Sequence, residues 1–165
     1  MSAFLGYNGQ AYSPPGEKGR FVLPSAFRKA VKESSGGSRI LCLAAHGKYD
    51  CLIGYGTSHL PQLRAQLDRE EERAIRLGDT SFDRDARAGQ LFTYEALSFD
   101  ESGRFVMPDH LRELGKVEEG LFFQAAGDFI LVWAPDELFR MGPEFKSAQI
   151  ACRRLMEAAG KKGAA

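Results

Sequence analysis

The sequence lacks the cysteine pattern of a disulfide-stabilised or metal-binding protein. Its 165 residues include three cysteines, Cys42, Cys51 and Cys152, which are far apart and contain no C-x-x-C arrangement. Disulfide frameworks and cysteine-based zinc sites need cysteines at short, recurring spacings. We therefore expect three reduced, buried thiols in a cytosolic protein, with no metal.

Long apolar runs are missing as well. A membrane-spanning helix needs about 18 or more consecutive apolar residues, and no segment approaches that length. The short stretch Ala3–Gly6 is too small to serve as the apolar region of a secretory signal. We expect a protein of the cytoplasm with no membrane partner.

An excess of charge of one sign is also absent. Lysine and arginine together number 22, as do aspartate and glutamate, so the net charge is zero. This balance argues against a protein that coats nucleic acid by bulk charge, but it leaves room for a local basic face. A hydrophobic content of 44% and a length of 165 residues are typical of one globular domain or two small ones.

Catalytic and cofactor motifs are not found either. His46, His59 and His110 stand alone, without metal-ligand spacing, and Gly54–Gly56 lacks the third glycine of a dinucleotide loop. There is no P-loop and no G-x-S-x-G, and the acids of 70–72 lie in a charged helical segment. We predict that the protein is not an enzyme and has no cofactor or small-molecule substrate.

What the sequence does contain is a twelve-residue stretch that occurs twice. The copies are Glu17-Lys-Gly-Arg-Phe-Val-Leu-Pro-Ser-Ala-Phe-Arg28 and Glu101-Ser-Gly-Arg-Phe-Val-Met-Pro-Asp-His-Leu-Arg112. Seven positions are identical without a gap, at a constant offset of 84 residues. Such a repeat indicates a duplicated structural unit that needs its neighbour to bury a continuous core.

Each copy predicts a turn, a strand and a helix. The glycine permits a tight turn at positive φ. In the first copy, residues 20–23 alternate, so Phe21 and Leu23 share one face of a strand while Arg20 and Val22 share the other. The proline that follows begins a helix.

The same order of elements recurs in both halves: strand, turn, strand, short helix, hairpin and helix. One half alone would leave unpaired strand edges. We therefore expect two interleaved halves with a shared core, as in a fused dimer. The predicted units are 4–56 (first repeat), 57–91 (helical connector), 92–142 (second repeat) and 143–165 (C-terminal helix and flexible tail).

The most charged segment is 68–76, which mixes acids and arginines. A solvated helix face is the usual meaning of such a mixture. A salt-bridged contact with a second subunit is the alternative.

The two copies resemble the swapped-hairpin DNA-binding fold of the AbrB (SpoVT-AbrB-like) type, and their tandem arrangement resembles the MraZ family. The second copy carries the D-x-x-x-R form in Asp100–Arg104, followed by Phe-Val-Met-Pro, and Trp133-Ala-Pro ends the second hairpin. The resemblance extends over about residues 4 to 145. In the first copy, Gly16 occupies the position of the aspartate, so either Glu17 takes over its role or the turn is looser.

The resemblance implies both a fold and a function. The fold would be mainly β with helices (α+β), a double-split β-barrel of swapped-hairpin type with a C-terminal helix. The function would be that of a bacterial transcriptional regulator or repressor of the division and cell wall gene cluster. It would bind direct repeats in double-stranded promoter DNA as a ring-shaped homo-oligomer and associate with the nucleoid.

The arginines of the repeat are the candidate DNA-binding residues. Arginine can donate two hydrogen bonds to guanine or contact a phosphate, and a nearby carboxylate can fix its rotamer. We predict DNA contacts by Lys18, Arg20 and Arg104, with Asp100 orienting Arg104. The supporting positions of the motif are Gly19, Pro24, Asp100, Gly103, Pro108, Arg28 and Arg112. For Arg28 and Arg112 the neighbouring acids favour a structural role.

Other interpretations remain open at this stage. Arg20 and Arg104 could instead form ion pairs that bridge the two halves. The protein could be an oligomeric scaffold that lost DNA binding through Gly16, or an antitoxin-like module that binds another protein. The short tail and the two copies argue against the antitoxin.

Overall fold

The protein is described by a computed structural model, which covers residues 4–17 and 19–164. The described residues form eight strands and six α-helices. The strands are β1 (Gln10–Ser13), β2 (Arg20–Val22), β3 (Ile40–Ala45), β4 (Leu52–Tyr55), β5 (Glu95–Ser98), β6 (Arg104–Val106), β7 (Leu121–Ala125) and β8 (Ile130–Trp133). The helices are α1 (Ser25–Glu33), α2 (Leu63–Leu77), α3 (Arg84–Phe92), α4 (Asp109–Leu114), α5 (Pro135–Phe139) and α6 (Lys146–Ala164), with 3-10 helices at Thr57–Gln62 and Pro143–Phe145.

Six strands form one antiparallel sheet in the order β1-β7-β8-β4-β3-β5. The hairpins of the two halves, β3–β4 and β7–β8, meet through β4 and β8 at its centre. The first strand of each half pairs with the hairpin of the other half, β1 with β7 and β5 with β3. The two halves are therefore interleaved, and neither has a sheet of its own.

The remaining strands, β2 and β6, pair with each other in a separate antiparallel ribbon. We call this pair the ribbon. The fold is thus α+β with a mainly antiparallel sheet and a C-terminal helix, as the sequence predicts at that level. The double-split barrel is not seen in that form, because the described strands form an open six-stranded sheet and a two-stranded ribbon rather than a closed barrel.

Two hydrophobic clusters lie on opposite faces of the sheet. Adjacent residues of β7 divide between them: Phe123 joins the cluster that includes the ribbon, and Phe122 joins the cluster that includes α6. Because successive strand side chains point to opposite faces, this division places the ribbon and α6 on different sides of the sheet. Burial of each large apolar side chain contributes about 1.5–3 kcal/mol.

The three thiols are buried and free. Burial raises the pKa of Cys51 to about 12, and it raises those of Cys42 and Cys152 to about 11. All three are therefore protonated near neutral pH, which suits residues that act as small apolar side chains.

The first strand is shorter than the sequence suggests. Residues 4–12 predict a strand, whereas β1 begins at Gln10. Gly6 and Gly9 adopt positive φ values of 98° and 92°, which extended strand backbone does not allow. Tyr7 keeps only an isolated bridge to Gly127.

The charged segment 68–76 pairs within the chain. Arg87 of α3 donates Nε–H to Glu70 at 2.8 Å, and Arg84 donates to Asp68 at 2.9 Å and Glu71 at 3.0 Å. The acidic residues of α2 therefore form ion pairs with α3. Most charged residues of 68–76 are exposed, in agreement with the predicted solvated helix face. The ion pairs with α3 were not predicted, because the sequence could not show that the two helices pack side by side.

No helix of residues 4–17 and 19–164 has both the length and the apolar character needed to cross a membrane.

Candidate nucleic-acid interface

The ribbon has one buried and one exposed face. Phe21 and Phe105 are register partners and are 4% and 3% exposed, so they anchor the ribbon to the core. Because side chains alternate along a strand, the flanking positions point outward. The outward positions are Arg20, Val22, Arg104 and Val106, all of them exposed.

The exposed face carries its arginines in a diagonal arrangement. Arg20 is paired with Val106, and Arg104 is paired with Val22. The two valines are 37% and 57% exposed, so the face presents two cations and two small apolar groups to the outside.

The second-copy turn holds Arg104 through Asp100. One carboxylate oxygen, Oδ1, accepts the backbone N–H groups of Ser102 and Arg104, both at 2.9 Å. The other, Oδ2, accepts Nε–H of Arg104 at 2.7 Å. The hydrogen bonds from the Arg104 backbone and side chain lower the pKa of Asp100 below its ordinary value. Arg104 is thus oriented from one side while its side chain stays 71% exposed.

The first-copy turn is built differently. A Cβ added at Gly16 would lie 2.1 Å from the Arg20 carbonyl oxygen, so this loop excludes any side chain there. Arg20 N–H donates to the Glu17 carbonyl at 3.0 Å, and the described side chains place no ion pair between these two residues. Glu17 therefore does not reproduce the contact that Asp100 makes. Lys18, the third predicted DNA contact, lies outside the described residues.

Backbone hydrogen bonds join each turn to the strand end of the other copy, across the pseudo-two-fold axis. Leu23 N–H donates to the Gly103 carbonyl at 2.7 Å, and Met107 N–H donates to the Gly19 carbonyl at 2.9 Å. Both glycines adopt positive φ, 85° at Gly103 and 75° at Gly19. The glycine of each copy thus supports the strand of the other copy.

Arg28 and Arg112 lie against the turn of the opposite copy. A Cβ added at Gly103 would be 2.7 Å from Arg28 Nε, and one added at Gly19 would be 3.4 Å from Arg112 Nη1. Arg28 donates Nε–H and Nη2–H to the Leu23 carbonyl at 3.3 and 3.2 Å. The Nε of Arg112 is buried without a hydrogen-bond partner among the described residues.

Pro24 and Pro108 end the ribbon strands and start the helices. Both have extended backbone, with ψ values of 151° and 148°, and their carbonyls accept the N–H groups of Arg28 and Arg112 at 3.0 and 3.1 Å. Proline fixes φ near the value required just before a helix. The glycines and prolines of the motif therefore set the backbone geometry of the turns, and the side chains of Arg20 and Arg104 are exposed.

The sequence prediction missed a basic cleft beside the ribbon. This cleft, of about 380 Å³, is lined by Ser25, Arg28, Lys29, Lys32, Arg39, Phe99 and Glu101. Lys29 and Lys32 share one side of α1 because residues three apart are neighbours on a helix. That spacing was visible in the sequence, but the position of Arg39 beside them depends on the fold.

Among the residues that the structure describes, no group of three histidine, cysteine, aspartate or glutamate side chains could hold a metal ion.

Comparison with known proteins gives several relatives named transcriptional regulator MraZ. The protein of Parvibaculum lavamentivorans is 30% identical over 141 residues, covering 85% of this chain and 83% of its own. That of Gluconacetobacter diazotrophicus is 27% identical over 82% of this chain and 80% of its own. That of Lactiplantibacillus plantarum is 29% identical over 72% and 75%. No family model matches the chain.

Proposed function

The chain belongs to the MraZ family of transcriptional regulators, and we propose that it acts by binding double-stranded promoter DNA through the exposed face of the ribbon. One observation carries this proposal. Arg20 and Arg104 project from the same two-stranded ribbon, and a carboxylate holds one of them in place while leaving it exposed.

The architecture and chemistry of the ribbon suit a DNA groove. The major groove is about 12 Å wide and admits a two-stranded β-ribbon. There, arginine can donate two hydrogen bonds to guanine, and small apolar groups can contact the thymine methyl. Val22 and Val106 lie beside the arginines and could supply that apolar contact. Because Asp100 already fixes Arg104, less rotamer entropy is lost on binding.

A single neutral chain with two or three cationic contacts would bind weakly and with strong dependence on salt. We therefore propose a ring-shaped homo-oligomer that places one ribbon on each of several direct repeats, since linked sites raise the effective concentration. The proposed target is the promoter of the division and cell wall gene cluster, with association to the nucleoid. Lys18 is retained as a third proposed contact.

We also propose that the fold is of the swapped-hairpin AbrB type, with repeats at 4–56 and 92–142. The exchange of β1 and β5 between the two hairpins supports this relationship. The mutual pairing of β2 and β6 supports it as well, because each half contributes one strand to the ribbon.

The test compares two double variants of the full chain on DNA taken from upstream of its own gene. Arg20→Ala/Arg104→Ala removes the ribbon cations. Arg153→Ala/Arg154→Ala removes the same charge from exposed positions of α6, on the other side of the sheet. Gel shift and footprinting report binding, and mass measurement reports the oligomer.

We expect the ribbon variant to lose specific binding while its oligomer mass is unchanged, and the α6 variant to bind like the wild type. Normal binding by the ribbon variant would contradict the proposal. A wild-type oligomer without any footprint would instead favour the scaffold.

A further inference from the structure

The basic cleft beside the ribbon has an unusual charge for a protein with no net charge. It is lined by four cationic side chains and one carboxylate, Glu101. Glu101 follows Asp100 directly in the second-copy turn, so the cleft borders the turn that holds Arg104. The cations of α1 therefore lie on the side of the ribbon where this turn is.

The outer cations of the cleft are available for a partner. The Lys29 side chain is 88% exposed and lies 4.0 Å from Glu33, at the limit of an ion pair. Lys32 is exposed and makes no ion pair among the described side chains. Arg39 contacts Glu101 at 3.3 Å, with exposures of 41% and 85%, so water reaches both partners and the pair can exchange readily.

The corresponding surface of the second copy has the opposite character. The position of Ser25 is taken by Asp109, and that of Lys29 by Glu113, both exposed. The position of Lys32 is taken by Lys116, which is engaged by Asp50 at 3.1 Å and by Glu137 at 4.0 Å. The α4 side therefore presents carboxylates where the α1 side presents exposed lysines.

We propose that Lys29, Lys32 and Arg39 bind the phosphate backbone of the DNA that the ribbon engages, so that the DNA extends over α1 and avoids α4. This inference rests on the proposed function of the ribbon. Cationic side chains on a helix beside a groove-binding element position the duplex by phosphate contacts and carry no sequence information. The pseudo-two-fold protein would thus bind DNA in one direction only.

This orientation has a consequence for an oligomer on direct repeats. A symmetric subunit would fit a repeat equally well in either direction, whereas a one-sided phosphate contact distinguishes the two. Direct repeats share one direction along the DNA, so subunits with a fixed polarity match them.

The experiment measures the affinity of the full chain for upstream DNA and for random DNA across a range of salt concentrations. Lys29→Ala/Lys32→Ala is compared with Arg153→Ala/Arg154→Ala, which makes the same change in net charge on α6. Each phosphate contact contributes about 0.9 to the slope of log K against log salt. We expect the α1 variant to reduce that slope by about 1.8 and to weaken both DNAs by a similar factor, about tenfold or more.

A gain-of-function variant makes the test two-sided. Glu113→Lys places on α4 the cation that α1 already has, and it should steepen the salt dependence of a chain that lacks Lys29 and Lys32. If Lys29→Ala/Lys32→Ala has the same slope of log K against log salt as Arg153→Ala/Arg154→Ala, the proposed phosphate contacts of α1 are wrong. This holds even if Arg104→Ala abolishes binding. A wild-type protein that binds neither DNA would overturn both the DNA-binding role of the ribbon and the phosphate contacts of α1.

Discussion

The two turns of the repeat differ in how they hold the same arginine. At the second copy, Asp100 fixes Arg104 by backbone and side-chain hydrogen bonds. At the first copy, the loop passes so close to the Arg20 carbonyl that only glycine fits at position 16. The comparison teaches that a duplicated sequence can keep its architecture, through glycine, proline and the buried strand face, while the two exposed sites diverge.

The difference extends to the surroundings of the turns. The second-copy turn borders the cations of α1. The first-copy turn lies beside α4, where Arg112 approaches Gly19 and the carboxylates of Asp109 and Glu113 are exposed. The cationic surface and the oriented arginine therefore lie on the same side of the pseudo-two-fold, which gives the protein a polarity that the bare repeat does not.

The largest expected difference concerns the two turn glycines. In Gly103→Ala, the new Cβ would lie 2.3 Å from the Leu23 carbonyl, and the residue would keep a φ of 85°. Left-handed backbone costs about 1–2 kcal/mol and overpacking adds about 1–3 kcal/mol. We expect Gly103→Ala to lower the free energy of unfolding by about 2–5 kcal/mol on that basis.

Gly19→Ala is the matched control, because its nearest atom would be the Met107 carbonyl at 3.3 Å. Only the backbone cost of about 1–2 kcal/mol applies there. Urea unfolding of the two variants provides the measurement. Equal losses of unfolding free energy in the two variants would show that the two turns are equally tight, which would contradict the prediction.

The next largest loss of stability is expected for Arg28 and Arg112, the arginines that lie against the turn of the opposite copy. Arg28→Met removes the two hydrogen bonds to the Leu23 carbonyl while keeping an aliphatic stem, and bonds from a charged donor contribute about 1.5–3 kcal/mol. Arg112→Met removes a distant 3.7 Å contact with Asp109 and a buried Nε that has no described partner. We expect a loss of about 1–3 kcal/mol for the first and of under about 1 kcal/mol for the second, measured by urea unfolding. A larger loss of stability in Arg112→Met than in Arg28→Met would contradict this prediction.

Much of this architecture could be predicted from the sequence, because its signals are local. The alternation around Phe21 and Phe105 predicts a buried ribbon face, and the prolines mark the helix starts. The exchange of strands was inferred only from the unpaired edges of one half. The contact between Arg28 and Gly103 and the exclusion of a side chain at Gly16 could not be inferred, since both arise where distant segments approach within a few ångströms.

The candidate site shows the same division. Arg20 and Arg104 stand out in the sequence because they recur in the repeat, and they remain proposed DNA contacts. Arg39 lies directly before β3 and joins Lys29 only when α1 folds beside the second-copy turn, so no pattern along the chain identifies it.

A smaller loss of stability is expected when position 16 of the first copy is given the aspartate that the second copy has at position 100. Gly16→Asp gives the first copy the family residue, but its Cβ would clash with the Arg20 carbonyl. We expect stability to fall by about 1–2 kcal/mol and the affinity for DNA to stay the same or weaken. Urea unfolding and a binding titration check this together. A variant that binds DNA more tightly without loss of stability would show that the loop can adopt the second-copy geometry.

The smallest expected effect is a dependence on pH. Hydrogen bonds from Arg104 and Ser102 hold the pKa of Asp100 below its ordinary value. A carboxylate with a lowered pKa in the folded state adds stability that is fully present above about pH 4 and is lost as the pH falls through the folded-state pKa. The stability difference between wild type and Asp100→Asn should therefore be constant near neutral pH and disappear in acid. A stability difference that stays the same from neutral pH into acid would contradict this origin.

The most direct test of the central claim is to titrate Arg104→Ala and Arg20→Ala separately against the same upstream DNA at one salt concentration. Both variants should lose affinity, and Arg104→Ala should lose more, because Asp100 fixes that arginine before DNA binds. Adding Asp100→Asn should weaken the wild type severalfold and have no further effect on Arg104→Ala. Wild-type affinity in both single variants would contradict the assignment of the ribbon as the DNA-binding face.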